Sequence, residues 1–168
     1  MENLELKVEI CKTVKENRCL FTDHFRGFEE VEVVKRVFGD DVAETLAKLE
    51  VEFTHATLYM RVDDSDGHLM INPEYFLKAD IADIYLDVVH ELVHVKQFLE
   101  GKISDQDVNY VERPLEIEAY KITVDEARAL GISENRIVDY LDSDLLSSEE
   151  LKQLAGTIGV EYTDDCLQ

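Results

Sequence analysis

The sequence predicts an α+β domain in which helices dominate. Most of the chain carries apolar residues at helical spacing, whereas residues 51–72 change to β-branched and aromatic residues around a turn. The length of 168 residues suits one ordinary domain, and a hydrophobic content of 45% can supply its core. Because no linker-like tract divides the chain, we expect a single domain over residues 1–168.

The first fifty residues contain helical patterns of unequal strength. Between residues 4 and 17 the apolar positions fit both strand alternation and a helical stripe, and we favour a helix. Further on, one helical pattern stops at Gly39, and Asp41 with Glu44 offers a capping box for another. We therefore predict two short helices, at 28–39 and 41–50.

The β-rich segment is predicted to form a hairpin over about residues 51–72. Its turn is the acidic sequence at 63–67, which ends in Gly67. Aligning Gly67 with the invariant glycine of an EF-hand loop puts Val62 and Pro73 at ligand positions, where neither side chain can bind calcium. An EF-hand calcium site is therefore excluded.

The rest of the chain is predicted to be helical. A long helix over about residues 80–100 ends at Gly101, and a loop then leads to Pro114. Ser133 and the Ser147–Glu150 capping box provide two further helix starts. The predicted C-terminal helices are 114–130, 133–142 and 147–155.

The charge and the cysteines restrict the partners and the compartment. Against 17 Lys and Arg stand 38 Asp and Glu, and the net charge of −21 disfavours nucleic acid and anionic membranes. The N-terminus lacks a basic and apolar leader pattern, and no apolar run reaches the length of a membrane span. Cys11, Cys19 and Cys166 form no C-x-x-C motif. We expect a soluble cytoplasmic protein, with the oligomeric state open.

A metal-binding motif lies within the longest predicted helix. His90 and His94 are one turn apart, so their imidazoles face the same side and can bind one tetrahedral zinc ion. Glu91 lies about 100° from His90 around the helix and borders the metal position without having to bind it. A carboxylate there can take a proton from metal-bound water.

The surroundings of the motif form a polar stripe on an otherwise apolar helix. Asp83 and Asp87 precede the motif on this stripe, and Gln97 follows it. The two aspartates either orient an imidazole or are solvated acids, and we favour the second reading.

The third ligand has to come from another residue type, because His94 is the last histidine of the chain. Gln97 and Glu100 occupy the glycine and histidine positions of the longer metzincin motif, which excludes that class. An acidic residue of the following helix remains, and Glu116 and Glu118 both qualify.

These motifs resemble those of the gluzincins, zinc peptidases that combine H-E-x-x-H with a glutamate on a downstream helix, and by length those of the compact minigluzincins. The resemblance covers about residues 51–130, the core of a zincin-like domain with a helical extension at 131–168. The family's E-x-x-A pattern matches Glu116 to Ala119. Glu116 also begins a stripe of small and apolar residues, so we favour it over Glu118.

The resemblance implies a zinc-dependent metallopeptidase with a twisted sheet on the central helix. His90, His94 and Glu116 would bind one Zn²⁺, Glu91 would act as general base, and the hairpin at 51–72 would hold an extended peptide or protein substrate. The group that stabilises the oxyanion is not identified among Tyr110, Arg113, Tyr120, His55 and His68.

Two other readings remain open. In the first, the protein is a catalytically inactive module that keeps a peptidase-like zinc site for binding or interaction. In the second, it is a metal-free helical interaction protein whose acidic surface holds a basic partner.

Overall fold

The structure is a computed structural model that describes residues 4–163. The chain divides into two compact units, one ending at Ile103 and the other beginning at Ser104. Helices and small sheets make up the first unit and helices the second, which confirms the α+β class. The single domain over 1–168 stays a prediction.

The first unit alternates short strands with helices and ends in one long helix. Two 3-10 helices, Phe28–Glu30 and Gly39–Asp41, precede α2 and α3. In chain order the elements are β1 (Glu9–Ile10), β2 (Cys19–Leu20), α1 (Phe21–His24), β3 (Phe25–Arg26), α2 (Glu32–Phe38), α3 (Val42–Lys48), β4 (Glu50–Phe53), β5 (Met60–Val62), β6 (Leu69–Ile71), α4 (Pro73–Lys78) and α5 (Ile81–Leu99).

The predicted hairpin at 51–72 is only partly correct. Strands β5 and β6 form an antiparallel hairpin over 60–71, with Met60 opposite Ile71. Strand β4, however, pairs parallel to β6, with Val51 opposite Leu69. Residues 54–59 leave the sheet, and the strand order is β2-β4-β6-β5. The sequence pattern suggests one strand over residues 51–62, but the structure divides it into β4 and β5. Strand β6 lies between these two strands in the sheet.

Two local predictions near the N-terminus are wrong. Residues 4–17 contain no helix, and the alternating pattern is correct only at β1, which pairs antiparallel with β3. Asp41 has helical backbone angles, φ −84° and ψ 0°, and its side chain caps nothing because a 3-10 turn already leads into α3.

Helix α4 is not among the elements predicted from the sequence. Asn72 caps it, and the Asn72 side-chain oxygen accepts hydrogen bonds from the backbone of Glu74 and Tyr75 at 3.0 and 3.1 Å. Pro73 occupies the first helical position, where its missing N–H costs nothing. A capping residue followed by proline, here Asn72 and Pro73, is a signal in the sequence from which this helix start can be predicted.

Helix α5 is the centre of the first unit. Asp80 caps its N-terminus, and the helix packs against α2 and β5. A cluster of fully buried phenylalanines fills the unit beside it, namely Phe21, Phe25, Phe28 and Phe76. The long helix predicted at 80–100 is thereby confirmed.

The second unit consists of helices whose starts agree with the prediction. A 3-10 turn at Tyr110–Glu112 precedes them. The Ser133 side chain caps the middle helix, and Ser147 and Glu150 form the predicted capping box. The helices are α6 (Pro114–Ala129), α7 (Glu134–Leu141) and α8 (Ser148–Ile158).

Within residues 4–163, none of the helices combines the length and apolar character needed to cross a bilayer.

Candidate metal centre

The polar stripe of α5 lies largely inside the protein. His90 is 5% exposed, Glu91 7% and Gln97 3%, while His94 is half-buried. On the apolar side Val88 and Leu92 are buried as predicted. Ionisable groups are costly to bury unless they bind a partner, so this arrangement demands a compensating interaction.

The two histidines of the motif converge, as their spacing predicts. Their Nε2 atoms are 3.1 Å apart, and the ring planes meet at 75°. The Nδ1 atom of His94 lies 2.7 Å from Oε1 of the Gln97 side chain. A histidine that binds a metal through one nitrogen commonly donates the other N–H to such an oxygen, so His94 is oriented as a ligand would be.

Glu91 stands next in the chain to His90, with its side chain inside the protein. A carboxylate in this position adjoins the first histidine of the pair in the chain and is shielded from bulk water. This placement suits the predicted general base.

Glu116 belongs to the second unit and lies in the first turn of α6. It is half-buried, and the residues that follow it on the same helix face are buried: Ala119, Thr123 and Ala127. Glu118 is exposed. The burial along α6 thus agrees with the preference for Glu116, which was based on the small and apolar residues that follow it on the same helix face.

His90 and His94 of the first unit offer two imidazoles, and Glu116 of the second unit offers a carboxylate. Two neutral imidazoles and one carboxylate are the donors that catalytic zinc sites use, with a fourth position left for water. Two points remain predictions: that the metal is zinc, and that Glu116 is the third ligand.

A second group of potential ligands, which the sequence analysis missed, lies in the β5–β6 turn. It comprises Asp63, Asp66 and His68, whose nearest ligand atoms all fall within 4.8 Å of one another. The EF-hand pattern covers only the acidic residues of this turn and leaves out His68. The sequence signal for the group is a histidine two residues after an aspartate, at Asp66 and His68.

Both nitrogens of His68 are already engaged. Nδ1 forms a short hydrogen bond with Asp66, and Nε2 lies 2.9 Å from the Glu52 carboxylate on β4. Arg18 binds the other oxygen of Asp66 at 2.8 Å. The hydrogen bond from His68, followed by that from Arg18, holds the pKa of Asp66 well below its usual range. The group is therefore an internal ion-pair network.

Gly67 holds this turn against α5. Its φ of +79° lies in the left-handed region that glycine accepts most readily. A Cβ atom at this position would overlap the ring of Phe98, which already fills the space. The turn thus packs directly on the end of the helix that carries the histidine pair.

The five candidates for an oxyanion donor have different surroundings. His55 is exposed in the loop after β4, and His68 is engaged by carboxylates. Arg113 donates to the backbone carbonyl of Val108 at 3.0 Å, which gives it a structural role. In the second unit the hydroxyls of Tyr110 and Tyr120 are 3.0 Å apart. The structure assigns none of the five to an oxyanion.

One further contact beside the motif was not predicted. The Tyr75 hydroxyl of α4 donates a short hydrogen bond to Asp87, which lies one helical turn before His90. Burial, and then the charge of Asp87, raise the pKa of Tyr75. Asp87 therefore accepts a side-chain hydrogen bond and differs from the solvated acid we expected.

No protein-family model, curated protein or solved structure matches this chain. The resemblance to gluzincins accordingly stays a prediction from the motifs in the sequence.

Proposed function

We propose that this protein is a zinc-dependent metallopeptidase in which His90, His94 and Glu116 bind the metal. The observation that supports this most directly is the 3.1 Å approach, on one helix, of the Nε2 atoms of the buried His90 and the half-buried His94. Two imidazole nitrogens at that separation need a proton or a cation between them. Zinc, when bound, would polarise the scissile carbonyl and acidify a water molecule.

The proposed chemistry of the chain's own residues centres on Glu91. Its carboxylate would accept a proton from the attacking water and deliver it to the leaving amine. Gln97 would hold the His94 ring in place through the 2.7 Å hydrogen bond to Nδ1.

The proposed substrate is an extended peptide or protein segment. Strand β5 is at one edge of the four-stranded sheet and packs on α5, the helix of the motif. An edge strand can pair with an added peptide strand through backbone hydrogen bonds. The net charge of −21 disfavours nucleic acid as the substrate. The thiols of Cys11 and Cys19 are free, which is compatible with the proposed cytoplasmic location.

The substitution Glu91→Gln tests the catalytic part of the proposal. We expect zinc content to stay stoichiometric while peptide hydrolysis falls by about 100-fold or more, because the amide cannot accept the water's proton. The control is Glu74→Gln, which replaces an exposed carboxylate of α4 and should leave both properties unchanged. Full hydrolysis by Glu91→Gln would contradict the assigned role.

The pair Glu116→Ala and Glu118→Ala tests the third ligand. We expect the first variant to lose zinc, and the second to keep it because Glu118 is exposed. Elemental analysis of both purified proteins gives the answer. Loss of zinc in the Glu118 variant alone would move the ligand to that residue, and loss in neither would remove α6 from the metal centre.

A catalytically inactive zinc-binding module is the second candidate. It is favoured by the fact that His68 and Arg113, two possible oxyanion donors, make other contacts. Such a module would melt at a higher temperature with zinc than with a chelator, yet would cleave no member of a peptide library. Cleavage that disappears in Glu91→Gln would eliminate it.

A further inference from the structure

A groove in the first unit lies between α3, the β5–β6 turn and the last turns of α5. Its volume is about 420 Å³, which is within the range usual for ligand sites. Neither the histidine pair nor Glu91 is among the residues that line it. Binding in this groove therefore does not depend on a metal.

Part of the lining is apolar and partly open to water. It consists of Leu49, which follows α3, and of Val95, Phe98 and Leu99 of α5. Leu49 and Val95 are buried, whereas Phe98 is half-buried and Leu99 is 59% exposed. The ring of Phe98 lies against Gly67 of the turn, which also lines the groove. A partner that covered Phe98 and Leu99 would be bound favourably, because it would remove apolar surface from water.

The rest of the lining is strongly acidic. Four exposed residues contribute carboxylates, which we call the rim carboxylates: Asp41, Glu44, Glu50 and Asp66. The only lysine in the lining is Lys48, which binds Glu44. Arg18, outside the groove, binds Asp66 at 2.8 Å and Glu50 at 3.6 Å. The rim carboxylates therefore outnumber these two cations, and the net charge of −21 strengthens the negative potential.

We propose that this groove is a docking site for a basic partner protein, from which it receives a lysine or arginine side chain and an adjacent apolar side chain. The cation lies among the rim carboxylates, and the apolar side chain covers Phe98 and Leu99. Excess negative charge beside an apolar surface is complementary to this pair of groups and repels an acidic segment. One short stretch of protein carries both groups on the same backbone, so it can occupy both parts of the groove.

Peptide titration followed by amide NMR of the full chain tests the proposal. The probe is the acetylated and amidated peptide Gly-Ser-Lys-Leu-Gly-Ser, and in the comparison peptide norleucine replaces lysine. We expect saturable shifts of the Gly67, Phe98 and Leu99 signals with the lysine peptide. Affinity should be about 3- to 10-fold lower for the norleucine peptide, which keeps the apolar stem and lacks the charge. Equal affinities, or no saturable shift with the lysine peptide up to about 10 mM, would overturn the proposal.

Two double variants test the rim carboxylates. Asp41→Asn with Glu44→Gln removes two of them at exposed positions and should weaken binding of the lysine peptide by about 3- to 10-fold. The matched control is Glu74→Gln with Asp139→Asn, which makes the same change in net charge at exposed positions outside the groove. The control should bind like the wild type. Equal affinities of the two double variants would show that the groove does not recognise the cation, and would overturn the proposal.

Titration with n-butylamine separates a protein partner from a free amine. This probe offers the cation and the stem of a lysine without the adjacent leucine. We expect it to bind at least about 10-fold more weakly than the lysine peptide, because it leaves Phe98 and Leu99 uncovered. Binding of n-butylamine as tight as that of the peptide would make the groove a site for small amines and would overturn the docking proposal.

Discussion

Two regions of the first unit bring histidine together with other polar groups, and they do so in opposite ways. In the β5–β6 turn both nitrogens of His68 contact carboxylates of the protein, Asp66 and Glu52. On α5 the histidines His90 and His94 contact each other through Nε2. Both nitrogens of His68 thus face acceptors that the protein itself supplies, whereas the nitrogens of the pair face each other. The groups around each histidine therefore separate a structural contact from a proposed metal ligand.

Replacing a histidine of the pair on α5 should have the strongest consequence, and the property affected is zinc binding. His94→Asn should weaken zinc binding by about 100-fold or more, beyond the effect usual for a residue that merely supports a ligand. His68→Asn should bind zinc like the wild type. Competition titration against a chromogenic chelator measures both. The opposite result, with zinc lost only in the His68 variant, would move the metal to the turn that carries Asp63 and Asp66.

Replacing His68 should have a smaller effect, on the folding stability of the protein measured in the absence of metal. His68→Asn removes the ring whose two nitrogens contact Asp66 and Glu52, and we expect a loss of about 1–2 kcal/mol in the free energy of unfolding. The value stays modest because the side chains of Asp66 and Glu52 are 43% and 39% exposed and can bind water. Urea denaturation in a chelator measures the loss. The control His55→Asn, in an exposed loop, should change stability by less than about 0.5 kcal/mol.

The smallest expected effect concerns acid stability. The pKa of Asp66 is lowered in the folded protein, first by its hydrogen bond from His68 and then by that from Arg18. Asp66 therefore stabilises the fold above the ordinary aspartate pKa of about 3.9, and this contribution is lost as the pH falls below that value.

The variant Asp66→Asn measures this contribution. Urea unfolding at about pH 6 and about pH 3 should show a smaller decrease in stability for the variant than for the wild type, because the variant lacks the titrating carboxyl. Asp64→Asn, at the exposed neighbouring aspartate, serves as the control. Equal decreases in the wild type and the Asp66 variant would show that the ion-pair network contributes nothing to acid stability.

The elements that could be predicted from the sequence are those that residues within the element itself determine. Helix α5 follows from a 3.6-residue pattern within its own nineteen residues, and α8 follows from Ser147 and Glu150 at its first turn. The convergence of His90 and His94 has the same origin, since helix geometry alone places them together.

The features that could not be predicted depend on contacts between distant residues. Strand β6 lies between β4 and β5, a pairing that no run of residues within 51–72 reveals. The contact between His68 and Glu52, which is sixteen residues earlier in the chain, arises only through the sheet, so the sequence leaves His68 among the candidate oxyanion donors. Gln97 was placed on the correct stripe of α5, but its hydrogen bond to His94 depends on a rotamer that spacing does not determine.

The contact between Gly67 and Phe98 has a consequence for how the molecule tolerates change. The ring occupies the space that a side chain at position 67 would need, and the neighbour of Phe98 in the chain is Gln97. A single added methyl group would displace the aromatic ring, strain the backbone and disturb two dissimilar histidine environments together. A substitution at position 67 would change the surroundings of His68 and those of the pair on α5 at the same time. Position 67 is therefore a poor choice for engineering either environment alone.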